Sequence, residues 1–232
     1  MFVLPVGGGM KENMIKDEKK ILIITGGQIE DSFLSTRVEY ENYAMIIAAD
    51  RGLNIADRLQ LPLDYIVGDF DSVSESILTK YKDTKVQILT YPPEKDKTDS
   101  QIAIELAIKN QATRIDIIGA TGTRLDHVVA NIHLLMFPLQ QLISACIVDS
   151  HNKIYLRNKS FTIRKENQFG DYVSLLPFTD KVHGLTLRGF KYPLNHIILT
   201  TGNSLGISNE ILDEEAQVEF EDGILLVIES RD

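Results

Sequence analysis

Apolar residues follow two rhythms along the chain. In the first, short continuous runs rich in Ile, Val and Ala recur at 21–25, 44–49, 65–67, 86–89, 115–118 and 145–148. A brief β-branched run without polar alternation is what a strand buried on both faces requires. Residues 53–61, a stretch from about 73, 99–109 and 125–136 read as helices between these runs. Strands alternating with helices predict a mainly parallel sheet. After Asp149 the rhythm changes. Short strands at 153–156, 160–164, 172–176, 184–187, 196–200, 217–220 and 224–228 are separated by turn residues, with no long 3.6-residue period among them. The pattern predicts an α/β N-terminal domain over 21–149 with a mainly parallel sheet, followed by an all-β, sandwich-like C-terminal domain over 150–232. Residues 1–20, with Gly7, Gly8 and Gly9 followed by several lysines, read as a loose arm in which Met10 and Met14 are alternative starts.

Composition narrows the class. With 44% hydrophobic and 25% charged residues, the 232-residue chain is globular rather than disordered. A net charge of −9 argues against a nucleic-acid partner, which calls for a basic face. No apolar run approaches the ~20 residues that span a bilayer, and residues 1–10 lack the basic start of a signal peptide. The one cysteine, Cys146, forms no intramolecular disulfide and fits a reducing cytoplasm.

The chemistry gathers where the apolar runs end. The sequence gives Gly26-Gly27, Asp50-Arg51-Gly52, Gly68-Asp69-Phe70-Asp71-Ser72, Lys95-Asp96-Lys97-Thr98-Asp99 and Gly119-Ala120-Thr121-Gly122-Thr123-Arg124-Leu125-Asp126-His127. Open parallel sheets bind ligands beyond the carboxyl ends of their strands, so these clusters from distant parts of the chain predict one site. Asp69 and Asp71, two apart, point the same way if the backbone there is extended. Two carboxylates at ~4 Å repel by roughly 4 kcal/mol at an effective dielectric of 20, and Mg²⁺ shared with substrate phosphates relieves that. Asp96, Thr98 and Asp99 flank a helix start, where phosphates are favoured; Thr98 with Gln101, Ser72 with Glu75 and Thr123 with Asp126 also have capping-box spacing. Gly119 and Gly122 suit a phosphate-cradling turn. Arg124 and His127 share a helix face; an arginine there can pair a phosphate, whereas a lone histidine at a helix start is more often structural.

Together, Gly68-Asp69-Phe70-Asp71-Ser72, Lys95-Asp96-x-Thr98-Asp99 and Gly119-Ala120-Thr121-Gly122-x-Arg124-Leu125-Asp126-His127 resemble the thiamine pyrophosphokinase family. So does Thr201-Gly202-Asn203-Ser204-Leu205-Gly206-Ile207-Ser208-Asn209-Glu210 in the C-terminal half. The resemblance implies a nucleotide-binding catalytic domain, a thiamine-binding β-sandwich, and a homodimer with thiamine held where protomers meet. It implies transfer of the pyrophosphoryl group of ATP to thiamine, giving thiamine diphosphate and AMP, with Mg²⁺. Carried over, Asp69, Asp71, Asp96 and Asp99 are similar to the acidic cluster for metal and triphosphate, with Asp69, Asp71, Asp99 and Arg124 catalytic. Asp50, Arg51, Lys95, Thr98, Gly119, Gly122, Asp126 and His127 look like nucleotide-side positions, and Ser204, Ser208 and Asn209 like the thiamine side. Thr123 departs from the family, which more often has a second glycine. Two other readings compete. A strand ending in D-x-D also opens haloacid-dehalogenase-like phosphatases, with Asp69 then a nucleophile, but there the motif follows the first strand and here the third apolar run. A non-catalytic thiamine diphosphate or nucleotide sensor is the other, and the intact acidic set gives it no support.

Overall fold

A computed structural model describes residues 18–71, 74–92 and 96–232. The expected arm, apart from residues 18–20, lies outside the described residues, as do Ser72 and Lys95.

Among the described residues of the first half, six strands and six helices follow one another, alternating up to β5: β1 (Lys20–Ile24), α1 (Asp31–Glu41), β2 (Met45–Ala49), α2 (Gly52–Arg58), β3 (Tyr65–Gly68), α3 (Glu75–Lys82), β4 (Gln87–Thr90), α4 (Asp99–Lys109), β5 (Arg114–Ile118), α5 (Leu125–Leu134), α6 (Met136–Gln140) and β6 (Ser144–Val148). Seven strands follow: β7 (Asn152–Arg157), β8 (Phe161–Arg164), β9 (Tyr172–Pro177), β10 (Lys181–Arg188), β11 (Leu194–Thr200), β12 (Glu215–Glu219) and β13 (Leu225–Ser230). The β-branched runs explain the centre of the main sheet. Successive side chains of β1 face opposite ways, so Leu22 and Ile24 join Leu34, Leu53 and Ala56 on one face, while Ile21 and Ile23 join Ile102, Ala103 and Ala107 on the other. Helices therefore cover both faces, and the strands carry no polar alternation because neither face meets water.

The sheet order is β4-β3-β2-β1-β5-β6-β7-β13-β9. The pairings among β1 to β6 are parallel, and β6–β7, β7–β13 and β13–β9 are antiparallel. The change of direction comes at the β6–β7 turn, where the Asp149 carboxylate accepts from the His151 and Asn152 backbone N–H groups at 2.8 and 2.7 Å. The sheet itself runs through that turn, so both halves of the chain share one hydrogen-bonded layer. A second, four-stranded sheet, β11-β10-β12-β8, packs its Ile163, Leu185, Leu187 and Val218 against Tyr155, Val173, Leu175 and Val227 of the first. This is the mainly parallel α/β architecture followed by a β-rich half that the two rhythms predict.

Three local features depart from the pattern. Helix α1 has only a narrow apolar face, the fully buried Leu34 with Phe33 and Val38 packed beside it, and polar groups add to its docking. Arg37 Nη2 reaches the Asp116 carboxylate of β5 at 2.6 Å, the Tyr43 hydroxyl donates to the same oxygen at 2.7 Å, and Arg114 reaches it at 3.0 Å. Helix α3 begins at Glu75, two residues later than about 73. Thr98 caps α4 as its spacing suggests, accepting from Gln101 N–H at 3.2 Å, but Thr123 does not cap α5, whose N-cap is Arg124 with no side-chain bond.

Candidate active site at the carboxyl edge of the parallel strands

Strand β1 lies between β2 and β5, so the chain leaves it toward β2 on one side while β5 and β6 build the other. Loops that leave neighbouring strands in opposite directions open a crevice at the sheet edge. Its base is a backbone zipper: Thr25 N–H donates to Ile118 O at 2.8 Å, Gly27 N–H to Gly119 O at 2.8 Å and Gln28 N–H to Thr121 O at 3.0 Å. Only glycine fits position 27, because a Cβ there would lie 2.1 Å from Thr121 O and 2.2 Å from Gly119 O. Asn131 of α5 ties the same loop down by donating to Ala120 O at 2.9 Å.

Over this base opens a cavity of about 720 Å³. Nine of the residues singled out from the sequence line it: Asp50, Arg51, Asp69, Thr98, Asp99, Gly119, Gly122, Arg124 and His127. They come from the ends of β2, β3 and β5 and the starts of α4 and α5, which is why no stretch of sequence shows the set whole. Asp71, Asp96 and Asp126 are not among the lining residues, and neither are Ser204, Ser208 and Asn209. Lys97, Thr123, Gln28 and Asn131 line it too. The sequence did signal Asn131: with Arg124, His127 and Val128 it completes one face of α5 at spacings of three, four and seven.

The geometry at Asp69 differs from the extended backbone that would project Asp69 and Asp71 together. Phe70 has φ +62, so alternation fails there, and Asp69 Oδ1 instead accepts from the Asp71 backbone N–H at 3.1 Å. The turn sends Asp69 toward the cavity and leaves Asp71 exposed. Asp126 has a different task from lining the cavity: it holds the Arg124 guanidinium through two contacts, at 2.5 and 3.2 Å, with both groups exposed. The hydrogen bond from Arg124 lowers the Asp126 pKa and raises that of its partner. Lys97 pairs with Glu105 at 2.8 Å.

The donor set fits a magnesium ion that arrives with phosphates. Among the described residues no three His, Cys, Asp or Glu side chains converge closely enough to cage a metal. Asp69 and Asp99, however, both line the one cavity, and Mg²⁺ characteristically takes one or two carboxylates and completes its shell with water and substrate phosphates.

The C-terminal residues lie apart from this cavity. Ser204 and Ser208 are exposed on the 201–210 loop. Asn209 is 4% exposed and fully engaged. Its Nδ2 donates to Tyr192 O at 2.8 Å, while its Oδ1 accepts from the Tyr192 and Glu210 backbone N–H groups at 3.0 Å each. Around the loop, Tyr192, Ile198, Leu205, Ile207 and Leu212 are exposed.

Known proteins match most of the chain. The family model for the thiamin pyrophosphokinase catalytic domain matches residues 37–147, and that for the thiamin pyrophosphokinase vitamin B1 binding domain matches residues 160–225. The thiamine pyrophosphokinase of Bacillus subtilis (strain 168) is 33% identical over 216 residues, spanning 92% of this chain and 100% of its own length. A crystal structure of thiamine pyrophosphokinase from Bacillus subtilis superposes with a TM-score of 0.83 at 32% identity, covering 92% of this chain and 100% of that one. One from Geobacillus thermodenitrificans gives 0.79 at 30% identity, covering 92% and 98%.

Proposed function

The chain belongs to the thiamin pyrophosphokinase family, and from that premise we propose how its residues divide the transfer of a pyrophosphoryl group from ATP to the hydroxyl of thiamine, yielding thiamine diphosphate and AMP. The observation that carries the reading is the single cavity at the β1–β5 crevice, where acidic, basic and glycine-rich loops from five elements meet. Phosphates lie along the Gly26–Gln28 and Gly119–Gly122 loops, at the edge where parallel sheets bind ligands and where Gly27 packs too closely on the Gly119 and Thr121 carbonyls for a side chain to intervene. Asp69 and Asp99 would hold Mg²⁺, which when bound neutralises charge on the phosphate oxygens. Arg51 and Lys97 line the cavity as cations, and Arg124 turns from Asp126 to the transferring group as charge builds on it. The thiamine hydroxyl attacks the β-phosphorus and AMP leaves; positioning and charge neutralisation do most of the work in such transfers.

The thiamine ring sits between protomers of a homodimer. Supporting this, Ser204 and Ser208 are absent from the acidic cavity, and exposed apolar residues surround their loop. Helix α5, which turns Arg124 and His127 to the cavity, also leaves Leu125 and Val129 exposed at 74% and 53%. Among the described residues no helix is long and apolar enough to cross a membrane; with the buried lone thiol of Cys146 this accords with a place in the reducing cytoplasm. Incubation with ATP, Mg²⁺ and thiamine should release AMP in step with thiamine diphosphate. Release of ADP or inorganic phosphate instead would overturn the assignment.

A further inference from the structure

Away from the main crevice, a cavity of about 580 Å³ opens in the C-terminal half between β7 and β8, the edge strand of the four-stranded sheet. None of its lining residues borders the main cavity. Its inner wall is Tyr155, 3% exposed, with the Phe161 ring set edge-on to it at 6.4 Å between centres. Arg157 lies over both rings, its guanidinium carbon 4.5 Å from the centre of Tyr155 and 5.6 Å from that of Phe161. Arg157 Nη1 also donates to Leu156 O at 3.3 Å. Two rings and a backbone carbonyl thus hold the guanidinium plane in place, and most of its five N–H donors are left over.

Charge makes this arginine unusual. Among the described residues Arg37, Arg58, Arg114, Arg124, Arg164 and Arg188 each pair with a carboxylate. Arg51 lines the main cavity, and Arg231 donates to Ser150 O at 2.8 Å. Arg157 pairs with no carboxylate of the described residues, although the chain carries a net charge of −9. Inside the cavity Lys153 meets the buried Glu229 at 3.2 Å, and Arg164 meets Glu215 at 3.3 Å. Those two pairs cancel, so the lining keeps one positive charge, on Arg157. Thr162 and Asn167 line the cavity too. Both are exposed, and among the described residues neither side chain bonds to protein.

We propose that this cavity binds a small organic acid, its carboxylate held by the Arg157 fork and its other polar groups by Thr162 and Asn167. A planar, singly charged carboxylate matches both the guanidinium geometry and the single spare charge. A phosphate monoester brings nearly twice that charge and meets Glu215 and Glu229 as well. The volume lies within the range of small-molecule sites and leaves room for the rest of the acid.

Arginine Nε–H resonances of isotope-labelled protein read the site directly, with lactate as the probe at constant ionic strength. The Arg157 resonance, identified by its loss in Arg157→Lys, should shift along a saturable curve with a Kd of about 1 mM or below. The resonance of Arg188, already paired, should stay in place. Arg157→Lys keeps the charge and loses the fork, so lactate affinity followed at the Thr162 backbone amide should fall about tenfold. Thr162→Val, which keeps the shape of an exposed side chain, should weaken lactate about threefold when followed at Arg157. No saturable shift of Arg157 in the wild type overturns the proposal, as does lactate affinity that Arg157→Lys leaves unchanged. Inorganic phosphate binding as tightly as lactate overturns it too, because the single spare charge would then select nothing.

Discussion

Asp69 and Asn209 are both polar residues in motif positions, and their surroundings assign them opposite kinds of work. Asp69 is turned into the main cavity by the left-handed Phe70. Asp69→Asn keeps the shape of the side chain and removes a charge, so kcat should fall about 10²–10³-fold, the usual cost of losing one preorganised electrostatic group. The melting temperature without ligand should not fall, because removing a carboxylate from an acidic cluster relieves repulsion. The upward shift that Mg-ATP gives the wild type should shrink with it; normal turnover with a full shift would remove Asp69 from the metal site. Asn209 is held on three sides by the 190–192 turn and its own neighbour. Asn209→Ala leaves those backbone groups without partners and should cost about 3 kcal/mol in urea unfolding. Ser208→Ala, exposed on the same loop, should leave stability alone and raise the thiamine KM more than the ATP KM. Equal damage from both substitutions would make the loop a purely structural element. The motif spelling gives no hint of this division, since it depends on one positive φ and on a turn seventeen residues away.

Helix α1 shows where element-scale reading stops. The strands were legible because burial on both faces demands β-branched runs, and α4 because its apolar positions repeat at helical spacing. Helix α1 buries only Leu34 fully, with Phe33 and Val38 beside it, and is tied to the sheet by charge as well, so its hydrophobic periodicity is too weak to read. Burial alone would raise the pKa of Asp116, at 0% exposure, but Arg37 and Arg114 beside it hold the carboxyl below its ordinary value of 3.8. A carboxyl whose pKa is depressed by folding contributes stability that is present above its unfolded pKa and lost as pH falls toward the folded value. Acid unfolding should therefore steepen below about pH 4 in the wild type. In Asp116→Asn the steepening should be reduced, and stability at pH 7 should fall by about 3 kcal/mol because two half-buried guanidinium groups lose their buried partner and keep only Glu41. Unfolding curves of the two proteins from pH 3 to 7 decide it; parallel curves would mean that the cluster titrates no differently in the folded chain.

On the scale of the whole molecule, the carboxylates we assign to catalysis and the loop we assign to thiamine occupy different surfaces, and a shared site follows if two copies bring them together. Asp69→Asn and Ser208→Ala protomers, each impaired alone, should regain activity when mixed and allowed to exchange subunits, since a mixed dimer holds one intact site. Confirmed exchange without recovery would place each site within one chain. The change of rhythm at Asp149 was readable in the sequence, but the continuity of the sheet across it was not, because strand order is set by long-range pairing that local pattern does not encode. That order has a consequence for how the chain is made. Strand β13 is the last to be synthesised, yet it lies inside the main sheet between β7 and β9. At about 5–20 residues per second, β9 waits roughly 3–10 s after its own synthesis for the strand that will pair with it. Through that interval a nascent chain has its parallel-sheet half assembled and two strand edges open, so a ribosome that stalls in the last fifty codons releases a product prone to join its neighbours edge to edge.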